Sequence, residues 1–389
     1  MTTSGITGVL GQDWRADVTA RGAVEPWDGS TTLSWHIAAD DRGHSPDTQA
    51  AGRPVRVLGA PVFETRLRVP GGDAVHRVWS VADAGGCTVV EVLNDSPLPL
   101  ACAFTRPDVL TSRPPADVPI QGIALDAATT VLLPVGHRAS ITVGLAHDGR
   151  GQGPLPAGLP SAEATARGWV ALAERAGRVV LPDERSSELL VAARTDVLLA
   201  GPPPADEDPA GFLLGLAELV RMGELDGADT SLLVPDAAAA IHEIALRPGW
   251  DIDAALDAAA LVLAAAGERR AVADMARITT SRTPAPLPDE AEVEGVRVVA
   301  AFERRLAAGP VLLPSGIPEA WRGSNFEAHG LPVGPASTVS FAVRWHGEHA
   351  AVLWEVTGDP VELCAPAVDP AWRTSAPSGD ALWRLDRAV

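Results

Sequence analysis

Residues 161–308 constrain this chain more than any other stretch. They are rich in Ala and Leu, carry apolar positions at helical spacing, and stand between two regions that read as strand. The block therefore reads as antiparallel helical hairpins held between β-rich parts. Seven helices are expected within it. They cover 161–176, 184–200, a third opening at Asp208-Pro209, then 235–246, 252–266, 268–278 and 290–308. Asp208 before Pro209 is a helix start by two criteria, since an N-cap acceptor precedes a proline at the first helical position. Asp251 is expected to cap the fifth helix, and Gly267 ends it.

The flanks follow a different period. Over residues 1–150, short apolar runs recur at 31–37, 55–58, 63–69, 76–81, 88–93, 101–104, 130–133 and 139–145, broken by Pro, Gly, Asn and Asp. Alternation within 65–69 suits half-buried antiparallel strands. About eight such strands suggest a β-sandwich. Gly149 to Pro160 reads as a Gly/Pro linker, not a phosphate loop, because its spacing is not GxGxxG and no βαβ unit surrounds it. After 311 the chain returns to strands, with a hairpin around His346-Gly347-Glu348-His349. The expected class is thus α+β and multidomain. A β-sandwich occupies 1–150 and a linker 151–160. A helical domain at 161–310 reads as a reduced α/α toroid, and a small β-domain closes the chain at 311–389.

Composition excludes several chemistries. All 31 basic residues are Arg and there is no Tyr. Without Lys there is no Schiff-base or PLP enzyme and no Walker A loop. A net charge of −19 argues against nucleic acid or anionic membrane as partner. The three cysteines lack CxxC spacing and read as buried thiols in a reducing compartment. No basic stretch followed by an apolar run opens the sequence, so a cytoplasmic location is expected. His242-Glu243 does not continue to HExxH, because position 246 is Leu. His346-Gly347-Glu348-His349 reads as a solvated turn, so no metal and no cofactor is expected.

One stretch carries a resemblance. Leu313-Pro314 is followed by Pro318-Glu319-Ala320-Trp321-Arg322-Gly323, then Gly330-Leu331, then a strand ending Trp345-His346-Gly347. This pattern resembles the small C-terminal β-domain of the six-hairpin glycosidases, which follows an (α/α)6 barrel. Asn94-Asp95-Ser96-Pro97, between two apolar runs, resembles a turn of the β-sandwich that precedes such barrels. The order of domains matches as well. The resemblance implies a glycoside hydrolase-like, carbohydrate-active protein. If active, it would invert at the anomeric carbon using two carboxyl groups ~6.5–9.5 Å apart.

Seven helices fall short of the twelve of a full barrel, so the toroid is reduced and activity is lowered or lost. The catalytic candidates are Asp251, Asp253 and Glu327. The sugar-binding candidates are Trp250, Trp321 and His329. Trp250-Asp251-Ile252-Asp253 places an aromatic beside two carboxylates at a helix start, while Trp321, Glu327 and His329 lie in the C-terminal pattern. The alternative is a non-catalytic scaffold of glycosidase descent, a homodimer closed through its open helical face.

Overall fold

The computed structural model describes residues 3–49, 52–116, 128–288, 293–347 and 349–384. The fold is mixed α+β, and the chain divides into two compact units, Met1–Val170 and Ala171–Val389.

The first unit is β-rich. One sheet has seven strands, in spatial order Gly153–Pro154, Leu110–Thr111, Ser140–Ala146, Cys87–Asn94, Gly72–Val81, Phe63–Val69 and Val55–Arg56. Its neighbours are antiparallel except Leu110–Thr111 beside Gly153–Pro154. A four-stranded antiparallel sheet has the order Val131–Val135, Leu100–Phe104, Trp35–Ala38, Gly43–His44. A third sheet is formed by Thr3–Gly8, Arg15–Thr19 and Val24–Pro26. The expected alternation is visible in Phe63–Val69, where Phe63, Thr65, Leu67 and Val69 are buried and Arg66 and Arg68 are exposed. Ile37, Cys102 and Phe104 share one core with Leu67, Val78, Val90 and Ile141 of the larger sheet and Val18 of the smallest.

The Asn94 turn has a specific cause. Its Nδ2 donates to the carbonyls of Leu98 (2.8 Å) and Gly136 (3.0 Å), and its Oδ1 accepts from the backbone N–H of Ser96 at 3.0 Å. The side chain thus replaces backbone partners that a sharp turn leaves unmet.

Two expectations change here. Gly153–Pro154, read as linker, pairs as a short parallel strand, because an edge position tolerates Pro. The first 26 residues, assigned no strand from sequence, form three, since their pattern is polar and Gly-rich.

Eight α-helices are present among the described residues. They are α1 (Ala162–Ala173), α2 (Glu184–Ala200), α3 (Pro209–Met222), α4 (Gly227–Leu232), α5 (Val234–Ile244), α6 (Trp250–Ala265), α7 (Arg269–Thr280) and α8 (Arg297–Leu306). The one added to the expected seven is α4. Its Gly-Ala-Asp-Thr-Ser run looks like a turn, yet Asp226 caps it by accepting from the N–H groups of Ala228 (2.7 Å) and Asp229 (2.9 Å). A second correction concerns α6, which begins at Trp250 with Gly249 as its N-cap; Asp251 lies inside the first turn. Asp208 does cap α3, accepting from the Gly211 N–H at 2.9 Å. For the last helix, expected from residue 290, residues 289–292 lie outside the described residues and α8 starts at Arg297.

Helix α3 is buried on most of its surface, as is much of α6, so these two are the centre of the helical core. Leu213, Leu216, Ala255, Leu256, Ala259 and Val262 meet there, with Ile244 of α5 and Met275 of α7. Helices α2 and α8 face a different core. Their Leu190, Ala193, Val299, Phe302 and Leu306 cluster with Phe326, Phe341, Val343, Val352 and Trp383 of the C-terminal strands.

Those strands form two sheets. The five-stranded one is antiparallel, in the order Arg178–Val180, Phe326–Gly334, Ser337–His346, His349–Gly358, Ser378–Trp383. The expected hairpin at 346–349 is its centre. The four-stranded one contains Ala307–Ala308, Val311–Leu312, Leu363–Ala365 and Asp369–Thr374. Arg178–Val180 lies between two helices in sequence yet pairs with a strand about 150 residues away, which no local signal announces. Trp354, Trp372 and Trp383 pack edge to face, with centroids 5.4 and 5.7 Å apart, as core filling in a chain without Tyr.

Candidate functional site

Helix α3 carries two charged residues on its inner side, Glu218 and Arg221. They meet Arg194 of α2 and Glu303 of α8. Arg194 Nε donates to Glu218 Oε2 at 2.8 Å, and its Nη2 donates to Glu303 Oε1 at 2.6 Å. Arg221 donates to both Glu303 oxygens at 2.8 Å and also bonds Glu218. The four side chains are between 2% and 9% exposed, so an alternating ring of charge sits in a desolvated place.

The remaining donors are taken by backbone. Arg194 Nη1 bonds the Gly177 carbonyl at 2.6 Å, and Arg221 Nη2 bonds the carbonyls of Ala176 and Gly330, the latter at 3.3 Å. The ring thus fastens three helices to the turn after α1 and to strand Phe326–Gly334. Burial pushes the Glu218 carboxyl up, but Arg221 and Arg194 more than offset this and hold it below its usual range. Burial likewise lowers Arg221, and Glu218 and Glu303 reverse that, so its affinity for the proton rises.

Above this ring lies a cleft of about 300 Å³. Leu214 and Ala217 of α3, Leu261 of α6, Val299 and Ala300 of α8, and Val333 make up much of its wall. Glu218, Arg221 and Glu303 reach its floor, and Asp257 and Arg304 also line it. No aromatic residue lines it among the described residues. Arg304 Nη1 donates to Asp257 Oδ2 at 2.5 Å. The hydroxyl of Thr279, another lining residue, is turned back to the carbonyls of Met275 and Ala276, both at 3.2 Å.

None of the six residues singled out from sequence lines this cleft. Asp251 accepts from Arg297 Nε at 3.1 Å. The same guanidinium holds Asp208 in two parallel bonds of 2.7 and 2.8 Å. Arg297 thus ties the starts of α3, α6 and α8 together. It lowers the Asp208 carboxyl, while Asp208 raises Arg297 in turn. Asp253 is buried and holds Arg282 Nε at 2.6 Å, and its other oxygen accepts from the Ala285 N–H at 3.0 Å. Arg282 then donates to the carbonyls of Ala245 (2.9 Å) and Arg247 (2.7 Å) just past α5. Trp250, half-buried, is the first residue of α6.

The C-terminal candidates lie apart from these. Glu327 is paired with Arg344 and with His329 Nε2 (2.9 Å) on strand Phe326–Gly334, and Arg344 is the main cause of its lowered pKa. Trp321 packs at 5.1 Å on Phe326. Asp251 and Asp253 thus bond different arginines, Arg297 and Arg282, while Glu327 and His329 bond each other, and all four are engaged in side-chain pairs.

The chain matches no family model and no curated protein. What it can do rests on its own side chains. Among the described residues no group of three or more His, Cys, Asp or Glu is placed to hold a metal. His346 and His349 are opposite each other across their hairpin, and Glu348 lies outside the described residues. Cys87 and Cys102 are buried and Cys364 is half-buried, all three free. Burial pushes the Cys87 thiol up to about 11, which removes it as a nucleophile at neutral pH. No helix among the described residues is long and apolar enough to cross a membrane.

Sequence reasoning misses the ring of Arg194, Glu218, Arg221 and Glu303. Its one signal is a charged residue at a position of α3 that the helical period assigns to the core. Glu218 falls between Leu214 and Met222 at spacings of four.

If Asp253 acts through Arg282 as a structural clamp, Asp253→Ala lowers stability by about 2–3 kcal/mol, the loss of charged hydrogen bonds at a mostly buried site. Urea unfolding measures this. A catalytic carboxylate set aside from structure would leave the midpoint unchanged or raise it.

Proposed function

We propose that this is a non-catalytic, small-molecule-binding protein with the domain order of the six-hairpin glycosidases. In this reading the N-terminal region is a β-sandwich, supported by the core its sheets share. The helical region is a reduced α/α toroid, supported by its hairpins and their place between β-rich regions.

One observation carries the choice of binding over hydrolysis. The three carboxylates that line the cleft, Glu218, Asp257 and Glu303, are each in an ion pair with Arg. Inverting hydrolysis needs one carboxyl group that keeps its proton near neutral pH and a second, free carboxylate that activates water. Glu218 is shifted the opposite way from such an acid. The aliphatic lining also lacks the aromatic faces on which sugar rings stack. Binding clefts of this kind are mostly apolar, with a few placed polar groups.

A panel of aryl glycosides and oligosaccharides tests this directly. No turnover above buffer is expected. Turnover that disappears in a folded Asp257→Asn or Glu303→Gln protein would overturn the reading and restore a hydrolase.

A further inference from the structure

We propose that the cleft takes a medium-chain aliphatic ligand with an anionic head, its chain against the α3, α6 and α8 walls and its carboxylate on Arg304. This rests on the binding reading above and names the ligand class for the same cleft.

The walls set the chain. Leu214, Ala217, Leu261, Val299 and Val333 offer aliphatic surface and no hydrogen-bonding side chain. The polar groups of the floor are already engaged, because Glu218, Arg221 and Glu303 bond one another and Arg194. Thr279 bonds its own helix. A ligand polar along its length would leave water without gaining partners there. An alkyl chain gives up no hydrogen bonds on entering and removes apolar surface from water. The volume, about 300 Å³, is at the small end for ligand pockets and suits a chain of medium length.

Arg304 sets the head. A guanidinium carries five N–H donors in a planar fork. Among the described residues, its ion-pair partner is Asp257, held through Nη1. The two partners differ in exposure. The Asp257 side chain is 53% exposed and that of Arg304 is 19% exposed. Asp257 can therefore turn to water at little cost while Arg304 stays at the cleft and receives a carboxylate through two parallel bonds. The ring beneath holds two Arg against two Glu, so its net charge is zero, and the anionic head is placed at Arg304, away from Glu218 and Glu303.

Calorimetry on the full chain with decanoate, 1-decanol and decylammonium below their micellar concentrations tests the proposal. Decanoate is expected to bind most tightly. Arg304→Gln should weaken decanoate at least tenfold and leave decanol within about twofold, while Asp257→Asn, which removes the competing carboxylate, should tighten decanoate. Ala258→Trp, which fills the cleft, should abolish binding of all three, with circular dichroism and the melting temperature confirming its fold. If decanol equals decanoate and Arg304→Gln changes neither, the anionic head is wrong while the binding reading survives. Tighter binding of decylammonium also overturns the anionic head, in favour of a cationic one. Binding that persists in a folded Ala258→Trp protein overturns the location. If no amphiphile binds at all, the ligand class falls; the hydrolysis panel above then decides the binding reading by itself.

Discussion

Arg194→Met is expected to unfold at a lower urea concentration, with a loss of about 3–5 kcal/mol of stability. Arg194 is 2% exposed and reaches both Glu218 and Glu303, which are themselves only 6% and 7% exposed. Removing it leaves two buried carboxylates to share Arg221. That is the uncompensated charge which makes breaking a buried pair far more damaging than the pair's net contribution to stability. The same physics predicts a smaller loss for a concerted change. Replacing all four members by apolar residues of similar volume should cost less than Arg194→Met, because desolvation of the charges disappears along with their attraction, leaving the carbonyls of Ala176, Gly177 and Gly330 without these donors. A fall as large in the fourfold variant as in Arg194→Met would show that packing, not charge, holds the junction.

The ring also makes a pH prediction. The Glu218 carboxyl is lowered in the folded chain, so the unfolded chain binds its proton first as pH falls. The stability it contributes is therefore complete above the unfolded value, about 4.3, and is lost as pH falls through the folded value.

His76 gives the second large effect, in a different pH window. It is 2% exposed and stacks on Trp35 at 4.3 Å, and its Nδ1 has no hydrogen-bond partner among the described residues. Burial lowers its pKa to about 3. A lowered base is neutral in the folded chain while the unfolded chain takes up a proton below about 6.5, so stability falls as pH falls between these values. At ~1.4 kcal/mol per unit, the full loss is about 4–5 kcal/mol by pH 3. The group is fully buried, so solvent screening does not reduce it. Urea midpoints measured from pH 7 down to pH 4.5 cover this window while staying above that of Glu218; His36 and His147, also lowered by burial, add slopes of the same sign there. His76→Phe keeps a ring on Trp35 and removes the proton, so its midpoint should fall much less steeply than the parent's, the remaining slope coming from His36 and His147. A variant that keeps the parent's slope would place the proton uptake elsewhere.

The parts of this molecule differ in how far they are legible in advance. The strands Phe63–Val69, Gly72–Val81, Cys87–Asn94 and Ser140–Ala146 are legible because a short apolar run bounded by turn residues is a property of adjacent residues. So are α2 and α3, whose caps Asp183 and Asp208 and apolar positions lie within a few turns. Helix α4 is not, because its Asp226 cap precedes only six residues and their composition favours a turn. The carboxylates at 251 and 253 are correctly placed at the start of α6. Their roles are not legible, since Arg297 and Arg282 approach from 46 and 29 residues away.

The cleft shows the division most clearly. Sequence by itself determined the β-rich flanks, the helical middle and the chemistry excluded by a chain without Lys or Tyr, because composition and short-range periodicity need no partner to be read. Only the tertiary structure decided that Glu218 and Glu303 are held by Arg194 and Arg221, and that the aliphatic cleft lies over them. The Glu303 pairings span 109 and 82 residues of chain. Coulombic attraction depends on distance in space and on exclusion of water, and both arise when α2, α3 and α8 pack.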